Sequence, residues 1–248
     1  MTCHEAASLP AARAGWELAD IFRLHGPSFL ASRCLSWAQR KVMWAVEHCR
    51  TAVLGGHKET CTKCHAVRYA YNSCRNRHCP KCQALTKAQW LSDRKSELLP
   101  VPYFHCVFTL PHELNPLVLA NKRVLLSTLF AAASQTLLEF GRNNLGGKVG
   151  FTMVLHTWDQ LLRPHFHLHC VIPAGALSDD GERWITGSST FLFPVRALSQ
   201  VFRGKLVARL EQAWAKGELE ATGNHAADAT PEGFGNLVQR LRTVDWVV

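Results

Sequence analysis

The chain has 248 residues, of which 47% are hydrophobic, so it can bury a core and is not an intrinsically disordered chain. Its length suits one large domain or two smaller ones. The formal charge of +9 and a pI near 9.2 favour a polyanionic partner, with nucleic acid the first choice and a membrane surface the second. From composition alone, the alternative is a basic protein that has no such partner.

No part of the sequence has the pattern of a targeting signal or a membrane span. Residues 1–14 lack a charged start followed by an apolar run, and residues 124–140 are too few and too polar to cross a bilayer. We therefore expect a cytoplasmic protein with no membrane partner. Cysteines stay reduced in the cytoplasm, so a tight group among the ten cysteines would indicate metal binding rather than disulfides.

The first hundred residues are predicted to be helical on both sides of a cysteine-rich segment. A first helix is predicted around residues 16–24, and the Gly-Pro pair at residues 26–27 separates it from the next. Apolar residues at helical spacing over residues 35–49 predict a second, amphipathic helix. The cysteine-rich segment follows at residues 57–82, and a third helix is predicted over residues 84–98.

Beyond residue 99, strands alternate with helices, which predicts an α+β domain. Aromatic and β-branched residues mark the strands, while Gly and Pro mark the turns. Two of the strands, joined by a loop of medium length at residues 159–164, are predicted to pair as a hairpin. The predicted strands are residues 103–109, 150–158, 166–172 and 183–185, the predicted helices are residues 115–141 and 195–216, and residues 222–231 are predicted to be a loop.

Most of the positive charge lies in residues 58–95. This segment contains nine basic and two acidic residues, a net charge of +7, together with five of the ten cysteines. Two C-x2-C pairs lie inside it, Cys61 with Cys64 and Cys79 with Cys82, separated by fourteen residues. Four thiolates in this pattern can enclose one ion in a structural zinc site that has no open position for water.

Alternatives remain for this cysteine group. The four thiols could be reduced core cysteines. Four nearby residues could also replace one of the cysteines or help to hold a second ion: His57, His65, Cys74 and His78.

A zinc module of this kind would present Arg75, Arg77 and Lys81 as a rigid basic surface. We predict that these residues contact DNA phosphates, an interaction that positions the protein without reading the base sequence. A solvated basic face is the alternative.

Histidines alternate with other residues over residues 164–170. Alternate side chains of a strand share a face, so His165, His167 and His169 would point to one side of the sheet. If this strand pairs with the preceding one, His156 can supply a further nitrogen. Two or three nitrogens with open coordination positions can hold a divalent ion that polarises a phosphate. The alternative is a row of histidines on a solvated sheet face.

The residues leave the identity of this ion open. Imidazole suits zinc and the later transition metals, whereas magnesium and manganese prefer oxygen ligands, which substrate phosphates could supply.

Four blocks of this sequence resemble the insertion-sequence 91 family of transposases. Residues 71–82, YNSCRNRHCPKC, closely resemble the zinc-binding segment of that family, and residues 99–111 resemble its first sheet strand. Residues 155–158 and 165–170 together resemble its His-hydrophobic-His (HUH) motif. Residues 191–198 also match, so the resemblance runs from about residue 17 to the end.

The resemblance implies a rolling-circle transposase that acts on single-stranded DNA at transposon ends. In that family a divalent metal, Mg²⁺ or Mn²⁺, activates the scissile phosphate, a tyrosine attacks it and becomes joined to the 5′ phosphate, and a separate zinc ion is structural. By motif position, His167 and His169 are the implied paired metal ligands. His156 is the implied third ligand, with His165 or Gln160 as substitutes.

The resemblance also implies a domain organisation. Residues 1–98 would form a helical, zinc-binding and DNA-binding domain. Residues 99–248 would form an HUH endonuclease-like domain, with an antiparallel sheet flanked by helices. We expect this second domain to lack the family's tyrosine helix.

The expectation of a missing tyrosine helix comes from the end of the sequence. In the family, the nucleophilic tyrosines follow a stretch that begins like residues 245–248, whereas the tyrosines here are Tyr69, Tyr71 and Tyr103. We therefore expect a C-terminally truncated transposase that is inactive in isolation. Two alternatives are an inactive DNA-binding remnant that competes with the full-length transposase and a structural zinc protein that binds other proteins. The sequence does not determine self-association.

Overall fold

The computed structural model of this protein describes residues 15–220 and 230–248. The expectations for residues 1–14, and for all but the end of the predicted loop at residues 222–231, lie outside the described residues. The described residues form two compact units, with the boundary between Leu98 and Leu99.

Two helices, α1 (Leu18–Ser32) and α2 (Trp37–Glu47), begin the N-terminal unit. The predicted break at residues 26–27 is wrong, because α1 continues through both positions and contains Pro27. Gly26 is buried against Met43 of α2, so contact between the helices offsets the cost of an internal proline. The actual break lies at residues 33–36, where the Ser36 side chain accepts the Gln39 N–H and begins α2 with a capping box.

A hairpin and a third helix complete the N-terminal unit. Strands β1 (Gly56–Thr60) and β2 (Val67–Tyr71) pair antiparallel, and α3 covers Pro80–Ser96. The sequence did not predict this hairpin, because nearly every residue in it is exposed and the strands lack apolar alternation. The small core of the unit consists of Ala19, Val46, Cys49 and Cys79.

The second unit is built on a three-stranded antiparallel sheet. Its strands β3 (Tyr103–Thr109), β4 (Thr152–Trp158) and β5 (Pro164–Pro173) lie in the order β3-β5-β4. The predicted hairpin between β4 and β5 is confirmed. A smaller sheet pairs β6 (Gly175–Leu177) with β7 (Trp184–Thr186).

Four helices flank the sheet: α4 (Asn115–Ala120), α5 (Lys122–Phe140), α6 (Val195–Ala215) and α7 (Pro231–Thr243). Among the described residues, one helix, Lys122–Leu145 (α5 with the turn that extends it), is long and apolar enough to cross a membrane by length and composition alone. Its residues Leu129, Ala133 and Leu137 are fully buried in the core of the unit, as expected for a core helix.

The period of two in β5 gives the sheet two chemically different faces. Phe166, Leu168, Cys170 and Ile172 are buried in the core, where Leu168 and Ile172 are completely inaccessible. Every second residue between them belongs to the opposite face, which carries the histidines. Burial of the apolar side chains therefore fixes the direction in which the histidines point.

The last residues of the chain lie beside β3. The Val247 carbonyl accepts the Thr109 N–H at 3.1 Å, and the Trp246 carbonyl accepts the Ser199 hydroxyl at 2.5 Å. The Trp246 side chain is buried, and its Nε1 donates to the Leu241 carbonyl at 2.9 Å. Thr109 lies opposite His167 in the sheet, so this segment ends beside the strand that pairs with the histidine strand.

Candidate functional site

Three histidines converge on the open face of the sheet. His156 of β4 lies directly opposite His167 of β5, and His169 is the next residue on the same face. One ring nitrogen from each of the three lies within 4.8 Å of the others. The ring centroids of His156 and His169 are 4.2 Å apart, and those of His167 and His169 are 4.9 Å apart. This spacing can place three nitrogens around one ion.

Hydrogen bonds to two of these rings favour free Nε2 atoms. Nδ1 of His167 lies 3.1 Å from the His165 carbonyl, so that nitrogen donates a proton. Nδ1 of His169 lies 2.7 Å from Nε2 of His105, which can accept the proton. Each contact leaves the lone pair on Nε2 for a metal, as second-shell partners do at known metal sites.

The environment also keeps these rings neutral. Burial lowers the pKa of His167. The hydrogen bond to the His165 carbonyl opposes this shift, and the charges of the His165 and His156 rings add to it, so the pKa is lowered overall. Burial likewise lowers the pKa of His169, with further contributions from His156, His167 and His105. Neutral imidazole is the form that binds metal, so the donor set fits a divalent ion.

The two alternative third ligands lie outside this group. The His165 ring stacks on His112 at a centroid distance of 5.2 Å. Its Nδ1 is buried without a hydrogen-bond partner in the part of the chain that the structure describes. Gln160 is exposed in the turn that joins β4 to β5.

The three tyrosines do not join the histidines. Tyr69 and Tyr71 belong to the N-terminal unit, on β2. Tyr103 begins β3, four residues before Val107, which lies opposite His169. At about 3.4 Å per residue this is roughly 14 Å along the strand. The Tyr103 hydroxyl accepts the Leu99 N–H at 2.8 Å.

Four cysteines of the N-terminal unit form a second candidate metal centre. The sulfurs of Cys49, Cys74, Cys79 and Cys82 all lie within 4.8 Å of one another. Cys82 Sγ is 3.5 Å from that of Cys49 and 3.6 Å from that of Cys74. Four convergent sulfurs suit a tetrahedral zinc site without an open position.

The cluster is poised to bind a cation. Burial raises the pKa of Cys82, but hydrogen bonds from Cys49, Cys74 and Cys79 outweigh burial and bring it down to about 7. Burial raises the pKa of Cys49, and it raises that of Cys74 to about 12. A bound cation favours the deprotonated form of every cysteine that it contacts, so this arrangement suits a metal ion.

The ligand set differs from the one that the spacing suggested. Cys79 and Cys82 join Cys49 and Cys74, whereas Cys61 and Cys64 lie at the turn between β1 and β2. The other end of the hairpin lies near the cluster. There the N–H of Arg50, which directly follows Cys49, donates a 3.0 Å hydrogen bond to the carbonyl of Asn72, which directly follows β2. Five paired residues hold the Cys61 turn roughly 14 Å from that end.

The sequence analysis did not place Cys49 in the cysteine cluster. Cys49 looked like an apolar position at the end of a predicted amphipathic helix, and the buried side chain does pack in the small core. Cys74, one of the alternatives, is in the cluster. His57, His65 and His78 are not among its members.

The predicted basic surface is only partly available for DNA. Lys81 forms an ion pair with Glu17, with 2.5 Å between Nζ and Oε2. The Arg77 guanidinium contacts the His78 ring at 3.3 Å. Arg75 instead lines an open, polar cavity together with Arg50 and Arg68.

Comparison with known proteins places both units in transposases. The "Transposase zinc-binding domain" family matches residues 21–110, and the "Putative transposase" family matches residues 150–248. The chain is 47% identical over 240 residues to "Putative transposase y4qJ" of Sinorhizobium fredii, which spans 96% of this chain and 60% of the relative. It is 32% identical over 194 residues to "Transposase for insertion sequence element IS801" of Pseudomonas savastanoi pv. phaseolicola, which spans 71% of this chain and 47% of the relative.

Solved structures give a weaker match. The conjugative relaxase TrwC complexed with a 27-mer DNA is 18% identical, covers 44% of each chain and superposes with a TM-score of 0.36. A superposition at this level does not define a function. The chain spans about half to three fifths of the length of the curated relatives it matches. The chain thus carries matches to a transposase zinc-binding domain and then to a transposase domain, and it is similar to two transposases, which is consistent with the insertion-sequence 91 family.

Proposed function

We propose that this protein supplies the metal-binding and DNA-binding part of a transposase that nicks and rejoins single-stranded DNA at transposon ends. The observation that carries the proposal is the convergence of His156, His167 and His169 on an accessible sheet face. Such a face admits an extended polyanion, which an enclosed pocket would exclude. The basic character of the chain supports DNA as that polyanion.

The chain's own residues would divide the work as follows. The Nε2 atoms of His167 and His169, with one nitrogen of His156, would hold a divalent ion, Mg²⁺ or Mn²⁺. When bound, the ion supplies a Lewis acid that polarises a phosphate oxygen. The contact of His105 with Nδ1 of His169 would orient the His169 ring. The hydrogen bond from Nδ1 of His167 to the His165 carbonyl would orient the His167 ring. Because the three histidines lie on an accessible face of the sheet, a DNA phosphate could approach an ion held there from the solvent side.

The nucleophile is a separate part of the proposal. The family resemblance implies a tyrosine. Tyr103 lies roughly 14 Å along β3 from the residue opposite His169, and Tyr69 and Tyr71 belong to the N-terminal unit. The bond from Thr109 N–H to the Val247 carbonyl brings the residues before Val248 beside β3. The family resemblance places the tyrosines after a stretch like residues 245–248, so such residues would start beside the strand that pairs with the histidine strand. We infer that the nucleophile is delivered from there.

Adduct formation tests this division of work. The purified chain is mixed with labelled single-stranded DNA from a transposon end and Mn²⁺, and the products are separated on a denaturing gel. We expect salt-sensitive DNA binding and no covalent adduct. A covalent band would contradict the inference that the nucleophile lies downstream, and Tyr103→Phe would then identify or exclude the first suspect.

Metal dependence tests the site itself. The wild type is expected to bind Mn²⁺, and the double substitution His167→Ala with His169→Ala is expected to abolish that binding. His48→Ala is the matched control, because His48 ends α2 in the other unit. Equal Mn²⁺ binding by the wild type and the double variant would refute the proposed site.

A second candidate function is a DNA-binding remnant that competes with full-length transposase. The separation of Tyr103 from the histidine group along β3 favours it for this chain alone. It predicts that the chain inhibits nicking by a full-length relative in the same reaction. The nicking proposal instead predicts that a full-length relative whose own histidines are replaced is rescued by adding this chain.

A further inference from the structure

Three arginines of the N-terminal unit surround one open cavity. Arg50, Arg68 and Arg75 line a space of about 830 Å³, together with His57, Tyr71 and Asn72. Within residues 15–220 and 230–248, none of the three guanidinium groups forms an ion pair or a side-chain hydrogen bond. Glu59 lies opposite Arg68 in the hairpin and is the one acidic residue of β1 and β2. The cavity therefore collects positive charge that the described protein groups do not neutralise.

The backbone that carries two of these arginines is unusual. Arg50 has a φ of 59° and Arg75 a φ of 51°, in the left-handed region that residues with side chains seldom adopt. The peptide bonds around them are held in place. The Arg50 N–H donates to the Asn72 carbonyl, and the Asn72 N–H donates to the Gly55 carbonyl, both at 3.0 Å. These bonds join the segment after α2 to the end of β2 and so fix one wall of the cavity.

The cysteine cluster fixes the same two arginines. Arg50 directly follows Cys49, and Arg75 directly follows Cys74. The Cys74 N–H donates to Cys49 Sγ at 3.5 Å, and the Arg75 peptide N–H is a hydrogen-bond donor to Cys82. The Arg75 backbone therefore contacts one of the four sulfurs and Arg50 directly follows the residue that carries another, so the backbone positions of both arginines depend on how the sulfurs are arranged.

We propose that this cavity is a phosphodiester-binding site for a nucleic acid strand, and that its affinity depends on metal in the cysteine cluster. Arginine matches phosphate geometry through paired N–H donors. Tyr71 adds an exposed aromatic ring on which a base can stack, which suits a single strand rather than a duplex. The site differs from the histidine face and from the basic surface of Arg75, Arg77 and Lys81, because it includes Arg50 and Arg68 and omits Arg77 and Lys81.

The test measures DNA binding by the full chain with fluorescence anisotropy across a range of salt concentrations. The probe is a labelled single-stranded oligonucleotide. Each phosphate contact to a single strand contributes about 0.7 to the slope of log affinity against log salt. We expect Arg50→Gln with Arg75→Gln to lower affinity at least tenfold and to reduce the slope by about 1.4, and Arg68→Gln to reduce it by about 0.7. Lys87→Gln, on the exposed surface of α3, is the control for loss of charge.

Metal dependence is measured on the same samples. Zinc is removed with a chelator and restored, and the metal content of each variant is checked so that loss of fold is recognised. The wild type is expected to lose affinity on zinc removal, and the double arginine variant is expected to lose much less. An equal loss in both proteins would overturn the link between metal and cavity. Equal DNA affinity in the double variant and Lys87→Gln would overturn the site.

Competition identifies the source of the phosphate. Inorganic phosphate is added at constant ionic strength, and we expect it to displace the oligonucleotide no better than chloride does. Displacement by phosphate at low concentration would assign the cavity to a free anion and overturn the strand assignment. These outcomes are independent of the proposed nicking function, because Mn²⁺ binding by His167 and His169 is measured separately.

Discussion

The Nε2 atom of His105 lies 2.7 Å from the Nδ1 atom of His169, and the two rings are nearly parallel, with an interplanar angle of 9°. His105 is on β3 and His169 on β5, so the contact joins an edge strand of the sheet to its central strand. The sequence analysis placed β3 correctly but assigned no role to His105. The contact makes His105 a positioning residue for one of the proposed metal ligands.

We predict that His105→Ala weakens metal binding without abolishing it. Loss of an outer-shell partner typically lowers metal affinity 10- to 100-fold, because the ligand ring is no longer held in one tautomer and orientation. Calorimetric titration with Mn²⁺ measures the change. His112→Ala is the matched control, because His112 stacks on His165 and does not contact the three proposed ligands. A larger loss in the control than in His105→Ala would contradict this role for His105.

We predict that metal binding at the histidine face persists below pH 6.5. The pKa values of His167 and His169 are lowered from the ordinary value of 6.5, first by burial and then by neighbouring histidines. Protons therefore compete with metal only as the pH falls through these lowered values. The stability of the metal-free fold changes with pH in the same direction, decreasing as the pH falls. Its contribution from these two rings is fully present above pH 6.5 and is lost as the pH falls through the folded-state pKa values.

The measurement is a set of metal titrations and urea melts between pH 5 and pH 8. A decline of Mn²⁺ affinity that begins above pH 6.5 would show that the rings are more easily protonated than an ordinary histidine. The melts should show that added Mn²⁺ raises the free energy of unfolding most above pH 6.5, where the rings are neutral, and progressively less as the pH falls through the lowered pKa values. His167→Ala provides the control, because it removes one titrating group.

The histidine face was predictable from local sequence, whereas the cysteine cluster was not. Alternation of apolar residues with histidines in β5 fixes which side the histidines occupy, and the short loop after Trp158 brings β4 alongside. The Cys61–Cys64 pair has equally clear spacing, but spacing gives the distance along the chain and not the distance in space. The pair lies at the turn of an exposed hairpin, away from the other cysteines of the cluster. The hairpin strands lack apolar alternation, so no local sequence pattern predicted them.

The helix boundaries show the same limit. Residues 26–27 have the composition of a break, yet α1 passes through them because Gly26 packs on α2. Cys49 looked like a core position, and it is one, but the sequence did not show that Cys74, Cys79 and Cys82 share that core. Both errors arise where tertiary contact outweighs local preference.

We predict that Cys49→Ser removes zinc from the cysteine cluster. A serine hydroxyl is a poor zinc ligand compared with a thiolate, so the variant should bind one zinc ion fewer per chain and unfold at lower temperature. Cys34→Ser is the control, because Cys34 is exposed and lies outside the cluster. Metal content and the absorption of a Co²⁺-substituted sample report the result. Wild-type zinc content in Cys49→Ser would show that the four sulfurs are not the ligand set.

We predict that Leu168→Ala destabilises the second unit and loosens the histidine site together. Leu168 is completely buried and lies between His167 and His169, so its side chain anchors the strand that carries both ligands. Truncating a buried leucine costs about 2–5 kcal/mol of unfolding free energy, depending on how far the cavity collapses.

Val154→Ala is the control on the neighbouring strand, because Val154 lies on the histidine face and is 38% exposed. Urea melts should show the larger loss for Leu168→Ala. Mn²⁺ titration under conditions where both variants are folded should show weaker binding only in that variant. Unchanged Mn²⁺ affinity in folded Leu168→Ala would mean that the histidines hold their arrangement without the core beneath them.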